Sequence, residues 1–232
     1  MCGRYGISVS RDELEIYLKE TYQIELLDSN ITLPRYNIAP GQSVISLIND
    51  GTRYRVGLLK WGFVPEWADD EKIGYKLINA RRETLSEKPT FKKSFQTRRC
   101  VIIADGFFEW YRTTSTKTPY YFYLKDHRIF GFAGLWSTFS KPDGTKISTC
   151  TIITTKANAM MRDIHDRMPV ILTEDTAKRW LDPTLRDIAL LDELLGENAM
   201  DDIELHQVSS RVNKTENDDS DIIKPYEDRD FS

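Results

Sequence analysis

Histidine and cysteine are scarce: three of each in 232 residues. Cys2, Cys100 and Cys150 are odd in number and far apart, which excludes a disulfide framework and fits a reducing cytosol. His127, His165 and His206 lie near no cysteine pair, and neither Cys-x-x-Cys nor His-Glu-x-x-His occurs, so no metal site is expected. Glycine-rich phosphate cradles are missing. So is the Gly-x-Ser-x-Gly elbow of serine hydrolases, and no cofactor is expected. No apolar run approaches a membrane span. Residues 1–20 carry polar and charged groups throughout, with no apolar leader, so a cytoplasmic protein is expected. Lipid modification of Cys2 is not expected without such a leader, and the sequons at Asn30 and Asn213 carry no weight. The net charge of −4 argues against a generally sticky polyanion binder. It leaves room for a local basic groove, because binding depends on where the charges sit.

What is present is a chain rich in strand formers. Hydrophobic residues make up 40% of it, enough for a well-packed core. Ser10 to Glu13 reads as a capping box before a helix with Leu14, Tyr17 and Leu18 on one face, ending near Tyr22. Residues 33–42, LPRYNIAPGQ, read as a loop bounded by proline and glycine. SVISLIN and YRVGLLKW flank Asp50-Gly51 as a hairpin, and residues 62–76 read as irregular. CVIIADGFFEWYR is β-rich with a bend at Asp105-Gly106. Residues 119–136 read as a second hairpin turning at Asp126 to Arg128, and 144–155 as a further strand after a turn. Helical signals follow at 158–164, 173–181 and 185–195, with Gly196 as the stop. IELHQVS is a last strand. Strands joined by short turns, with helices at the periphery, predict a single α+β domain over residues 1–232. It is built on mainly antiparallel, twisted sheets with a barrel-like core. Its acidic tail, about 216–232, is expected to be loose at its end. No repeat or linker divides the chain.

Four short stretches carry candidate chemistry: MCGRY, INARRET, ADGFFEW and IHDRMP. If Met1 is trimmed, Cys2 offers an α-amine and a thiol on one residue. Their ordinary pKa values, about 7.7–8.0 and about 8.5, leave a usable reactive fraction of each near neutral pH, and a nearby charge can raise it. An aldehyde forms an imine with the amine, and the thiol closes a five-membered thiazolidine. The plain alternative is a frayed terminus. Glu109, between Phe108 and Trp110, is expected to have a raised pKa suited to proton transfer, unless it simply turns out to water. His165 can pass protons near neutrality, or serve as a helix-end surface group. Asn79 and the arginines after it can hold a hydroxyl or phosphate, or sit in a solvated turn. Further basic groups lie at Lys92-Lys93, Arg98-Arg99 and Arg162. Trp61, Trp67 and Trp110 offer flat faces of the kind that single-stranded nucleic acid stacks on. Solvated charges and core aromatics are the ordinary alternative.

Taken in order, MCGRY, PRYNIAPGQ, WGFVPEW, INARRET, ADGFFEW, IHDRMPVIL and VSSRVNKTENDD resemble the SRAP family, the SOS response-associated peptidases or abasic-site-processing proteins. The match spans nearly the whole chain. The resemblance implies a protein that binds single-stranded DNA carrying an abasic site. It would trap the exposed aldehyde as a thiazolidine, a covalent crosslink that shields the lesion. By the same resemblance Cys2 is the nucleophile, Asn79 positions the sugar, and Glu109 is the acid/base at the amine and in crosslink reversal. His165 moves the proton that opens or closes the deoxyribose. Arg4, Arg81 and Arg167 contact phosphates, and Pro40 and Trp67 brace the kinked strand and stack on bases. One departure stands out. Where some relatives have an arginine shortly before the phenylalanine matching Phe91, this chain has Pro89 beside Lys88, which weakens or shifts one phosphate contact. The acidic tail is expected to point away from DNA. The protein is expected to act as a monomer, on the nucleoid when bound to DNA. Two other classes fit the same residues: a cysteine peptidase with Cys2 activated by His165 or Glu109, and a non-covalent single-stranded DNA binder.

Overall fold

Ser10 caps the first helix as its sequence predicts. Its side chain accepts from the Glu13 N–H, and the Glu13 carboxylate accepts from the Ser10 N–H across 2.7 Å, a reciprocal pair that satisfies two otherwise orphaned donors. The structure is a computed structural model and describes residues 2–25, 27–197 and 202–227. In chain order it runs β1 (Arg4–Ile7), α1 (Arg11–Tyr22), β2 (Arg35–Ile38), β3 (Ser43–Asn49), β4 (Tyr54–Trp61) and β5 (Asn79–Arg81). Then come α2 (Pro89–Thr97), β6 (Arg99–Ala104), β7 (Gly106–Arg112), β8 (Lys117–Leu124), β9 (Phe130–Ser140) and β10 (Lys146–Lys156). The chain finishes with α3 (Ala159–Arg162), β11 (Arg167–Pro169), β12 (Ile171–Leu172), α4 (Glu174–Trp180), α5 (Ile188–Gly196) and β13 (Ile203–Gln207).

Five strands close on themselves. β4 pairs with β3, β3 with β6, β6 with β9 and β9 with β10, all antiparallel, and β10 returns to β4 in parallel. Closure removes the open edges that would otherwise invite pairing with another chain. β5 and β11 extend β10, and β12 extends β9. A second, fully antiparallel sheet runs in the order β13-β8-β7-β1-β2. Its inner face packs on the barrel through an aromatic seam. The Tyr5 ring lies 5.5 Å from Trp61 and 5.6 Å from Phe132, and Phe107 lies 6.0 Å from Phe132. Fully burying side chains of this kind contributes roughly 1.5–3 kcal/mol each.

The chain crosses from barrel to sheet at Asp105-Gly106, the expected bend. A side chain at residue 106 would have to push Tyr121 aside: a Cβ there would lie 2.0 Å from the Tyr121 hydroxyl. β6 is buried along its whole length. It has the barrel interior on one side and other elements, α2 and α4 among them, packed against it, so it shows no alternation.

The α+β architecture with a barrel-like core, mainly antiparallel sheets and outer helices matches expectation. Two local readings need correction. Residues 33–42 are not all loop, since β2 lies within them and pairs with β1; four residues flanked by Pro34 and Pro40 are too short to show a strand pattern. Residues 119–136 do not form a hairpin. β8 pairs with β7 and β13, whereas β9 pairs with β6, β10 and β12, so the turn at 125–129 carries the chain from one sheet to the other. Part of the acidic tail is pinned: the Asp218 carboxylate accepts from the backbone N–H groups of Tyr36 and Asn37, and Ile222 is buried. The end of the tail falls on residues 228–232, outside the described residues. No helix among the described residues is long and apolar enough to cross a membrane.

Candidate active site

Cys2 precedes β1 and is fully buried. Its carbonyl accepts from the Asn79 side-chain N–H across 2.9 Å. Asn79 opens β5, which lies parallel to β10 with Asn79 opposite Ile152. This short strand brings INARRET to the start of the chain. The Asn79 Oδ1 is buried and accepts no hydrogen bond among the described residues. An orphaned acceptor of this kind costs stability on the order of 1–3 kcal/mol, and suits a ligand hydroxyl.

Glu109 lies mid-strand in β7, opposite Tyr120, and is only 2% exposed. The alternative of a strand glutamate turned out to water is therefore excluded. Burial raises its carboxyl above the ordinary range, and His165 is among the groups that oppose the rise. The Cys2 thiol is also pushed up, first by burial and then by the charge of Glu109. That corrects the expected help from a neighbouring charge: the nearby carboxylate acts against ionisation, so the thiol needs a base to take its proton. Asn79 bonds to Cys2, Cys2 lies within electrostatic reach of Glu109, and Glu109 within that of His165, a chain of contacts over residues spread across 164 positions of sequence.

His165 follows α3, whose Asn158 cap accepts from the Met161 N–H. Its Nδ1 accepts from the Arg167 N–H across 3.0 Å and lies 2.9 Å from the exposed carboxylate of Asp166. The two arrangements compete. An accepting Nδ1 leaves the ring proton on Nε2, whereas a protonated Nδ1 turns its donor to Asp166.

The expected DNA contacts divide. Trp67 is 61% exposed, Pro40 half-buried, and Arg81 exposed at the end of β5. Arg4 is half-buried, donating to the Asn37 Oδ1 and to the carbonyls of Val212 and Asn213. Arg167 is buried in a two-pronged pair with Glu83, at 2.7 and 2.9 Å, and donates to the Thr154 carbonyl. A phosphate reaching Arg167 would have to displace Glu83. Trp61 and Trp110 are buried, leaving Trp67 as the stacking face of the three. Arg99 is no groove residue either: it donates to the carbonyls of Phe95, Gln96, Trp180, Asp182 and Leu185. Adjacent arginines in a sequence look alike; only the fold decides that Arg99 closes helix ends.

Two supports had no assigned role in the sequence. Asn37 donates to the carbonyls of Val212, Lys214 and Asn217, fastening the chain's last motif beside Arg4. The Asp105 carboxylate accepts from Ser8 and Val9 and holds the corner after β1. The repeated occurrence of Asn and Asp within the matched motifs was the available signal. Among the described residues, no three His, Cys, Asp or Glu side chains gather as a metal site.

A closed barrel beside an antiparallel sheet, with a buried Cys2 bonded to an asparagine and within reach of a buried glutamate that a histidine adjoins, defines a class that comparison resolves. The model of the SOS response associated peptidase (SRAP) family matches residues 1–215, and the chain belongs to this family. It is 47% identical over 228 residues to abasic site processing protein YoqW of Bacillus subtilis, covering 97% of this chain and 100% of that protein. It is 33% identical over 221 residues to abasic site processing protein HMCES of Xenopus tropicalis, covering 82% of this chain and 65% of that one. A crystal structure of a protein from Bacteroides thetaiotaomicron superposes with a TM-score of 0.83 at 26% identity, over 96% of this chain and 99% of that one.

Proposed function

We propose that this protein captures abasic sites in single-stranded DNA by forming a thiazolidine with Cys2, once Met1 has been removed. The observation that carries the reading is that Asn79 bonds to Cys2, Glu109 lies within electrostatic reach of Cys2, and His165 lies within reach of Glu109. The names of its relatives support the same substrate.

The chemistry follows from the groups present. The Cys2 amine attacks the aldehyde carbon of the ring-opened sugar, and a proton moves from nitrogen to the aldehyde oxygen. The Glu109 carboxyl, whose pKa burial raises, gives its proton to the departing hydroxyl when in its acid form, so water leaves and an iminium remains. The resulting carboxylate takes the thiol proton, sulfur bonds to carbon, and the C=N pair returns to nitrogen. Glu109 ends as it began, and one water is lost overall. Reversal runs the same steps backwards. His165 moves the proton between the ring oxygen and the sugar hydroxyl, and the Asn79 Oδ1 accepts from that sugar. Burial of Cys2 favours the dehydrating step, and also means that the sugar must displace what covers the thiol.

The raised thiol pKa disfavours a general cysteine peptidase, which needs a ready thiolate. The protein would act as a monomer in the cytoplasm, nucleoid-associated on DNA, without cofactor or metal.

The test is a denaturing gel with native-start protein and an oligonucleotide carrying one abasic site in a single-stranded stretch. A denaturation-resistant adduct is expected, lost in Cys2→Ala and in protein with a tag ahead of Cys2. Persistence of the adduct in Cys2→Ala would move the chemistry elsewhere, and its absence in the native-start protein would overturn the reading.

A further inference from the structure

The outer face of the second sheet collects cations. On β7, Phe108, Trp110 and Arg112 alternate onto one face. Arg4 of β1 lies opposite Phe108, and Lys117 of β8 lies opposite Arg112. Period-two geometry therefore places Arg4, Arg112 and Lys117 on the same face, one residue removed from the strand position that points Glu109 inward. Phe108, Trp110 and Tyr121 form the apolar floor of this face with Val212 and Ile222. The Lys117 amine sits 4.6 Å over the Trp110 ring, whose N–H is held by the Asn213 Oδ1 across 2.8 Å.

These cations have no counterion at bonding distance among the described residues. Arg4 bonds to an amide oxygen and two backbone carbonyls. Lys117 has an aromatic face, and Arg112 is exposed at the strand end. Glu216 reaches Arg4, and Glu109 reaches Lys117, only through the field. Like charges held together beside an aromatic floor are destabilised until an anion joins them. In support, the Lys117 ammonium is pulled down first by burial and then by Arg112 and Arg4.

We infer that Lys117 and Arg112, with Arg4 at its inner end, form a phosphate-binding cluster for the DNA strand flanking the reacting sugar. The ligand is a phosphodiester, and the inference rests on the proposed function only for the identity of that strand. Glu109 is the link: its neighbours in β7 set the floor of the cluster while its own side chain faces the reacting residue. Because the cluster lies on the face opposite Glu109, a strand with its sugar at Cys2 would round the end of β7 at Arg112 to bring its phosphates to Lys117.

The experiment uses the full chain and a single-stranded oligonucleotide without an abasic site, with affinity followed by fluorescence anisotropy across a salt series. Lys117→Met, which keeps the stem over Trp110, and Arg112→Gln are compared with Lys19→Gln on the exposed side of α1. Each cluster variant is expected to reduce the slope of log affinity against log salt by about 0.7, and to weaken binding several-fold at low salt. Lys19→Gln should leave the slope alone. Unchanged slopes in both cluster variants, with circular dichroism like the wild type, overturn the inference. If Lys117→Met does not fold, Arg112→Gln decides. Inorganic phosphate is run at matched ionic strength: stabilisation by DNA alone supports a strand site, whereas equal stabilisation by phosphate marks a free-anion site and overturns the strand assignment. A wild-type protein that shows the slopes but no adduct with abasic DNA refutes the proposed function and leaves the cluster standing. Adduct formation with unchanged slopes refutes the cluster alone.

Discussion

Asn79 holds the Cys2 carbonyl at 2.9 Å and keeps its own Oδ1 unsatisfied in a buried position. One amide therefore fixes Cys2 with its donor and leaves its acceptor free for a ligand. Asn79→Ala removes both functions, while Asn79→Asp keeps the shape and loses the donor. Both are expected to slow adduct formation by about tenfold, in keeping with one hydrogen bond of about 1 kcal/mol plus a lost positioning contact. Stability should hold, since an orphaned buried acceptor disappears in the alanine variant. Time courses on denaturing gels, paired with thermal melts, separate the two effects.

Glu109→Gln should slow crosslink reversal more than it weakens DNA binding, because the amide keeps the shape and cannot trade a proton. Equal losses in both would mark Glu109 as structural. The assay is a chase of preformed adduct with excess competitor, beside anisotropy for binding.

The same substitution has a stability signature. Burial raises the carboxyls of Glu109 and Asp105 above their ordinary values. The folded chain therefore binds these protons more tightly than the unfolded chain does. The resulting stability is fully present below the unfolded pKa values and is lost as pH rises through the raised folded ones. Glu109→Gln should then raise the melting temperature at neutral pH, by a gain on the order of 1 kcal/mol, and flatten the decline above the ordinary carboxylate range. Melts of both proteins from acid to neutral pH test this.

Arg99→Met should unfold the protein readily. It strips a buried guanidinium from five backbone carbonyls at the ends of α2 and α4 and in the turn beyond α4. A loss of about 3 kcal/mol or more is expected in urea titrations, since hydrogen bonds to charged groups are worth roughly 1.5–3 kcal/mol each. DNA affinity of the remaining folded fraction should be unaffected.

Arg167 and Glu83 pose a cleaner choice. If the pair serves the fold, Arg167→Gln costs about 2 kcal/mol of stability and shows strong coupling with Glu83→Gln in a double-mutant cycle. If Arg167 leaves Glu83 for phosphate, the salt dependence of DNA binding falls as well. Denaturant titrations and a salt series, run on the same variants, decide between them.

How much of this was legible in the sequence depended on the range of the interaction. The capping box at Ser10, the hairpin at Asp50-Gly51 and the bend at Asp105-Gly106 are set by neighbours a few residues apart, and they read correctly. The pairing of β8 with β7 rather than β9 depends on which sheet each strand joins, and no local pattern reports it. Glu109 was nominated by its aromatic neighbours, yet its burial needed Tyr120 opposite and the barrel behind. The site's members were found as separate motifs; that Asn79 touches Cys2 follows from β5 pairing with β10, a contact more than 70 positions long. Arg99 misled because an arginine's partner is invisible until the chain folds.

Arg4 is bonded to Val212 and Asn213, more than 200 positions away. A ribosome makes those carbonyls long after it makes the arginine. The front of a growing chain thus lacks its fastening until the last quarter has emerged. On this geometry the surroundings of Cys2 are assembled late in synthesis, and a truncated or stalled product would lack the contacts that hold β1 in place.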